Sequence, residues 1–166
     1  MTKKINIGGV LVGGGESVKI QSMCTTKTSD AEKTVSQISE LEKAGCEIIR
    51  VSVLDEEDAR AVKEIKNRIN IPLVADIHFS SRLAVLAIEN GVDKVRINPG
   101  NIGGEREIKT VADCIKAHKI PVRVGANTGS VEKEFLLKYG KNETSLVESA
   151  LKSVAALEKY GIGDIV

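Results

Sequence analysis

One rhythm constrains this chain more than any other feature. AGCEIIRV (44–51), NGVDKVRI (90–97) and YGIGDIV (160–166) each follow a helical pattern with a helix-ending glycine, a polar residue and an apolar run. Between them, INIPLVADI (69–77) and HKIPVRVGA (118–126) open on Ile-Pro, a place where proline does little harm to a strand ladder. The two types alternate. Such repetition of strand and helix predicts a parallel sheet with right-handed crossovers.

The expected elements follow in order. Residues 4–12 and 17–23 read as an N-terminal hairpin around Gly13-Gly14-Gly15, leading into a first core strand, KIQSM. Helices are expected over about 30–44 (capped by Ser29 or Asp30), from Asp55 to about 69, and over about 80–89, 105–118 and 143–160. Strands are expected over 47–53, 71–76, 93–97 and 121–125, and GDIV reads as the opening of a sixth. The stretch 126–142 reads as a long connection. No linker divides the chain, so residues 1–166 read as a single domain.

The polar residues choose between α/β architectures. Side chains of a strand alternate faces. Arg50 and Ser52 share one face, as do Asp76 and His78, and Arg96 and Asn98. The other face is aliphatic: Ile49 and Val51, Val95 and Ile97, Val122 and Val124. A sheet that meets helices on one side and turns polar near the carboxyl ends on the other suits a TIM-type (β/α)8 barrel with a ligand site at its inner top. A doubly wound sheet would be apolar on both faces, and no G-x-G-x-x-G follows the first strand. A full barrel takes roughly 250 residues. The expectation is therefore a partial barrel of about five βα units, the N-terminal part of a longer barrel protein.

Arg50, Arg96 and Arg123 occupy equivalent places in three of the runs. Guanidinium groups among branched aliphatics are unfavourable without an anion, and they bind phosphate oxygens in bidentate fashion. Asp76 supplies one negative charge against their three positive ones. A diphosphate would match the remainder. The competing reading is a structural ion network bridged by Asp76. Asn98-Pro99-Gly100-Asn101-Ile102-Gly103-Gly104 after Arg96 and Asn127-Thr128-Gly129-Ser130 after Arg123 suit anions as well. The helix after Arg96 is expected to aim its N-terminus at the same place. Ser22, Thr25, Thr26 and Lys27 offer hydroxyls and a cation at the first strand's end. His78 reads either as a general acid/base or phosphate donor, or as a structural partner of Asp76. His118 suits a helix end.

Composition excludes several classes. A net charge of +1, no Trp, two Tyr and two Phe argue against nucleic-acid binding. No targeting peptide or membrane-spanning run is present, so no membrane partner is expected and the cytoplasm is the default location. Cys24, Cys46 and Cys114 are far apart and odd in number, without C-x-x-C. They read as packing residues, not as a disulfide framework or a metal or iron–sulfur site.

IQSMCTTKTSD, ADIHF, VRINPGNIGG and VRVGANTGSVEKEFLLKYG, in that order and across essentially the whole chain, resemble the barrel domain of the 4-hydroxy-3-methylbut-2-enyl diphosphate synthase (IspG or GcpE) family. The resemblance implies an oxidoreductase of the non-mevalonate isoprenoid pathway. Its substrate is 2-C-methyl-D-erythritol 2,4-cyclodiphosphate, and its electrons come from a donor such as ferredoxin or flavodoxin. It implies a homodimer in which a separate C-terminal domain with a 4Fe-4S cluster closes over the barrel mouth. It assigns Arg50, Arg96 and Arg123 to the diphosphate, with Asp76, His78, Asn98 and Asn127 around them. The three cysteines match none of the cluster's ligands, and the cluster domain and last barrel strands lie outside this sequence. The chain alone is thus expected to bind no cluster and not to turn over. Two other readings stay open: another phosphate-binding barrel enzyme such as a pterin-dependent synthase, and a non-catalytic assembly module.

Overall fold

The computed structural model describes residues 2–98, 101–127, 129 and 131–166. Its centre is a parallel sheet of five strands in chain order: β3 (Gln21–Met23), β4 (Ile48–Val53), β5 (Leu73–Ile77), β6 (Lys94–Ile97) and β7 (Val122–Val124). A parallel bridge from Val122 to Ile165 starts the next strand, as the GDIV ending predicts. Helices α1 (Ala31–Lys43), α2 (Glu56–Lys66), α3 (Ser81–Glu89) and α4 (Glu105–His118) connect successive strands, and α6 (Glu143–Glu158) leads to Ile165. This is a partial TIM barrel.

Caps set the helix starts. Asp30, Asp55 and Ser80 each accept a hydrogen bond from the backbone N–H three residues on, satisfying an orphan donor of the first turn. The helix-facing side of the sheet is dry. Ile49, Val51, Ala75, Ile77, Val95, Ile97 and Val122 are buried among Ile38, Val62, Ile65, Ile88, Val111, Ile115 and Leu157. Burying such an aliphatic side chain contributes about 1.5–3 kcal/mol.

Two expected elements differ. The N-terminal hairpin is shorter than read: β1 (Ile5–Ile7) pairs with β2 (Val10–Val12), and the turn is Gly8-Gly9. Both glycines have positive φ (54° and 99°), which a two-residue hairpin turn needs. Gly13-Gly14-Gly15 lies after the hairpin, and β3 belongs to the parallel sheet. The connection 126–142 contains a short helix, α5 (Lys133–Tyr139), packed on α6.

The hairpin closes the lower end of the sheet's inner side. Ile5 and Ile7 pack on Ile48 and Val74, with Val10 and Val12 at the edge. This second apolar cluster is separate from the helix-side core and forms the floor beneath the polar rows.

Candidate functional site

Strand register lays the inner side chains out in rows. Ser52, Asp76, Arg96 and Arg123 are neighbours across β4 to β7. One rung lower, Met23, Arg50, Val74 and Lys94 are neighbours across β3 to β6. Adjacent strands lie roughly 4.8 Å apart, so long side chains of both rows reach one another.

Asp76 is the hub and is 3% exposed. Its Oδ1 accepts a hydrogen bond from Arg96 Nη1 at 2.8 Å, and its Oδ2 lies 3.5 Å from Arg50 Nε. His78 Nε2 lies 3.5 Å from Asp76 Oδ1. Arg50 also donates from Nε and Nη2 to Met23 Sδ at 3.1 and 3.0 Å. One carboxylate therefore serves two guanidinium groups and a histidine. Arg123, expected to be buried, is exposed and has no carboxylate within 4 Å among the described residues. It sits on the last full strand, where only the bridge at Ile165 follows. Three guanidinium charges thus face a single carboxylate charge, an excess of two on the arginines alone.

Arg96, His78, Phe79, Asn98, Asn101 and Asn127 line a cavity of 80 Å³ at the carboxyl ends of β5, β6 and β7. Asn98 is buried, and its carbonyl accepts from Asn101 N–H at 2.9 Å. Asn127 Oδ1 accepts from Gly129 N–H at 3.0 Å. Of the two loops expected to suit anions, Pro99, Gly100, Thr128 and Ser130 lie outside the described residues. All seven expected site residues thus stand on the same inner face or around this cavity: Asp76, His78, Arg96, Asn98, Arg123 and Asn127 at the upper end, and Arg50 one rung lower. Arg50 joins them through Asp76.

Other expected contributors are otherwise engaged. The N-terminus of α4 is not an open anion cradle. Glu107 Oε2 accepts from Gly104 N–H at 2.9 Å, and Glu105 pairs with Lys159 and accepts from Tyr160 Oη. Two carboxylates in the first turn already answer the helix dipole. At the end of β3, Thr26 Oγ1 lies 2.8 Å from Thr34 Oγ1, and Gln37 bonds Thr25. Lys27 is 3.7 Å from Glu57. These groups hold the β3–α1 loop.

The cysteines do not form a donor set. Cys24 and Cys46 are buried in the apolar core, and burial pushes the Cys24 thiol up to about 11, with Cys46 adding to it. Cys46 Sγ contacts Ile48 O at 3.0 Å, and Cys114 lies on α4 beside His118. Among the described residues, no group of three or more His, Cys, Asp or Glu is placed to hold a metal ion. The described residues do not fit an iron–sulfur cluster. No described helix is long and apolar enough to cross a membrane.

Two residues escaped the sequence reading. Lys94 lies two positions before Arg96 and is therefore on the same face, almost fully buried. Strand alternation was the signal that could have found it. Gly125, just after β7, makes room for Arg96: a Cβ there would fall 2.1 Å from Arg96 Nε. Nothing in the local pattern announces that contact, which spans two strands.

The fold is shared widely. Dihydropteroate synthase from Vibrio fischeri superposes with a TM-score of 0.69 at 14% identity, over 99% of this chain and 65% of that one. Phospho-2-dehydro-3-deoxyheptonate aldolase from Thermotoga maritima gives 0.68 at 16%, over 99% of this chain and 44% of that one. At that identity the likeness carries the fold alone. Sequence relatives are much nearer. Proteins named 4-hydroxy-3-methylbut-2-en-1-yl diphosphate synthase (flavodoxin) from Caldanaerobacter subterraneus, Caldicellulosiruptor saccharolyticus and Thermotoga maritima are 58%, 56% and 54% identical over the whole chain. The chain spans about half the length of these relatives (47%, 48% and 47%). The model of the GcpE TIM-barrel domain matches residues 2–166. The chain belongs to the GcpE TIM-barrel domain family.

Proposed function

We propose that this chain is the substrate-binding barrel part of a 4-hydroxy-3-methylbut-2-enyl diphosphate synthase, and that its inner face holds 2-C-methyl-D-erythritol 2,4-cyclodiphosphate. One observation carries the reading: three guanidinium groups share a face with a single carboxylate, which already serves two of them. A diphosphate supplies the missing negative charge, and arginine forks fit its oxygens. Asp76 orients Arg50 and Arg96. His78, Asn98 and Asn127 offer donors at the rim, and in this reading His78, which lines the cavity beside Asp76, moves a proton at the ligand.

In this reading the chain positions and neutralises the ligand, and the reduction draws on groups it does not bring together. The 4Fe-4S cluster needs donors outside the described residues. The relatives' names specify flavodoxin, which favours flavodoxin over ferredoxin as the electron donor. A homo-oligomer in the cytoplasm completes the proposal. The pterin-dependent alternative has only the fold in its favour, and an assembly module would not leave arginines unmatched. The test is calorimetry of the chain with the cyclodiphosphate. Saturable binding, weakened about tenfold or more by Arg96→Ala, is expected. Binding that Arg96→Ala leaves unchanged would overturn the arginine assignment.

A further inference from the structure

Lys94 stands one rung below Arg96 on β6 and is 2% exposed. Its Nζ has a neutral partner, Gln21 Oε1 of β3, at 3.4 Å. No carboxylate lies within 4 Å of it among the described residues. The charged and titratable groups on the same inner face are Arg50 from β4, Asp76 from β5 with His78 just past that strand's end, Arg96 on its own strand and Arg123 from β7. The hairpin and the lower part of β4 contribute apolar side chains to the floor: Ile5, Ile7 and Ile48, with Val10 and Val12 at its edge. Asp76 is already shared by Arg50 and Arg96. A buried ammonium without a counter-ion is unfavourable. Methionine has nearly the same length and would fill this space without that penalty, so folding gives no reason for lysine here.

We propose that Lys94 forms the floor of the anion site and takes up a proton when a cyclic di- or polyphosphate settles on the arginines. The inference rests on the anion-site reading above and deepens it. Burial, reinforced by Arg123 and then Arg50, brings the Lys94 ammonium down to about 8. An anion bound over the arginines cancels their repulsion and favours the charged form. Lys94 then binds its proton more tightly in the complex than in the free protein. Affinity must therefore fall as pH rises through 8, and binding above that pH must consume protons from the buffer.

The probe is cyclic trimetaphosphate, a ring polyphosphate whose oxygens carry no titratable proton in this range. Calorimetry of the 166-residue chain is run at high pH, about half a unit above the Lys94 value, in two buffers of different ionisation heat. The binding enthalpy is expected to differ between buffers by the uptake of about half a proton or more. At neutral pH, where Lys94 is already mostly charged, the part of the uptake that Lys94→Met removes is expected to shrink severalfold, and any uptake common to both proteins belongs to other groups such as His78. Lys94→Met is expected to bind about tenfold more weakly near neutrality and to lose the buffer dependence. If that variant does not fold, the two-buffer comparison on the unaltered chain still decides the question. Saturable binding with the same enthalpy in both buffers, or uptake that persists undiminished in Lys94→Met, overturns the role of Lys94 and leaves the arginine site standing. Absence of saturable binding at both pH values overturns the arginine site itself, and this inference with it.

Discussion

The inner side of the sheet has two ends built on opposite terms. Below, Ile5, Ile7, Ile48 and Val74 exclude water and carry no charge. Above, Arg50 and Arg96 share one aspartate, Lys94 is buried without a carboxylate, and exposed Arg123 stands beside Arg96. The lower end is what a chain builds for stability. The upper end costs stability, because cations lose water without full pairing. The sign for Lys94 makes the point. Its folded value lies below the ordinary lysine range, so the unfolded chain holds the proton more tightly, and folding becomes less favourable as pH falls from that range through 8. A face that is unfavourable in the free protein and matched by a polyanion is a binding face.

The comparison can be broken from either end. The largest expected effect is at the floor. Ile7 is 1% exposed, and Ile7→Ala is expected to lower unfolding free energy by about 2–4 kcal/mol in a urea titration. The folded protein should keep its anion affinity, since the cluster that Ile7 packs in, Ile5, Ile48 and Val74 with Val10 and Val12, includes neither the arginines nor Asp76. A loss of affinity in the folded variant would mean that the two ends are not separable. A smaller effect is expected at Gly125→Ala. The new Cβ displaces Arg96 from its place beside Asp76, and anion binding should weaken about tenfold, or about 1.4 kcal/mol. Unaltered binding by calorimetry would show that Arg96 can serve the site from another rotamer.

Much of this was legible in the sequence because strand alternation and helix caps are local. Asp30, Asp55 and Ser80 start the helices where their side-chain chemistry suggests. Arg50, Asp76 and Arg96 take the inner face by simple period-two counting. The misreadings are failures of a different kind. Gly8-Gly9 and Gly13-Gly14-Gly15 are both able to turn a chain, and only pairing of Ile5 with Val12 decides which does. The N-terminus of α4 was read from its dipole, without weighing Glu105 and Glu107 in its own first turn. Gly125 answers to Arg96 on the neighbouring strand, one whole βα unit earlier in the chain. Lys94 followed the same alternation as Arg96, yet a lysine before an apolar run looks like an ordinary solvated strand end.

Arg123 offers the most direct measurement. It is exposed and has no carboxylate within 4 Å among the described residues, so its removal leaves no buried charge behind. Arg123→Ala should change unfolding free energy by no more than about 0.5 kcal/mol, while the cyclodiphosphate affinity measured by calorimetry falls about tenfold. Equal affinity for the two proteins, with both folded, would contradict an anion site made by unmatched guanidinium groups.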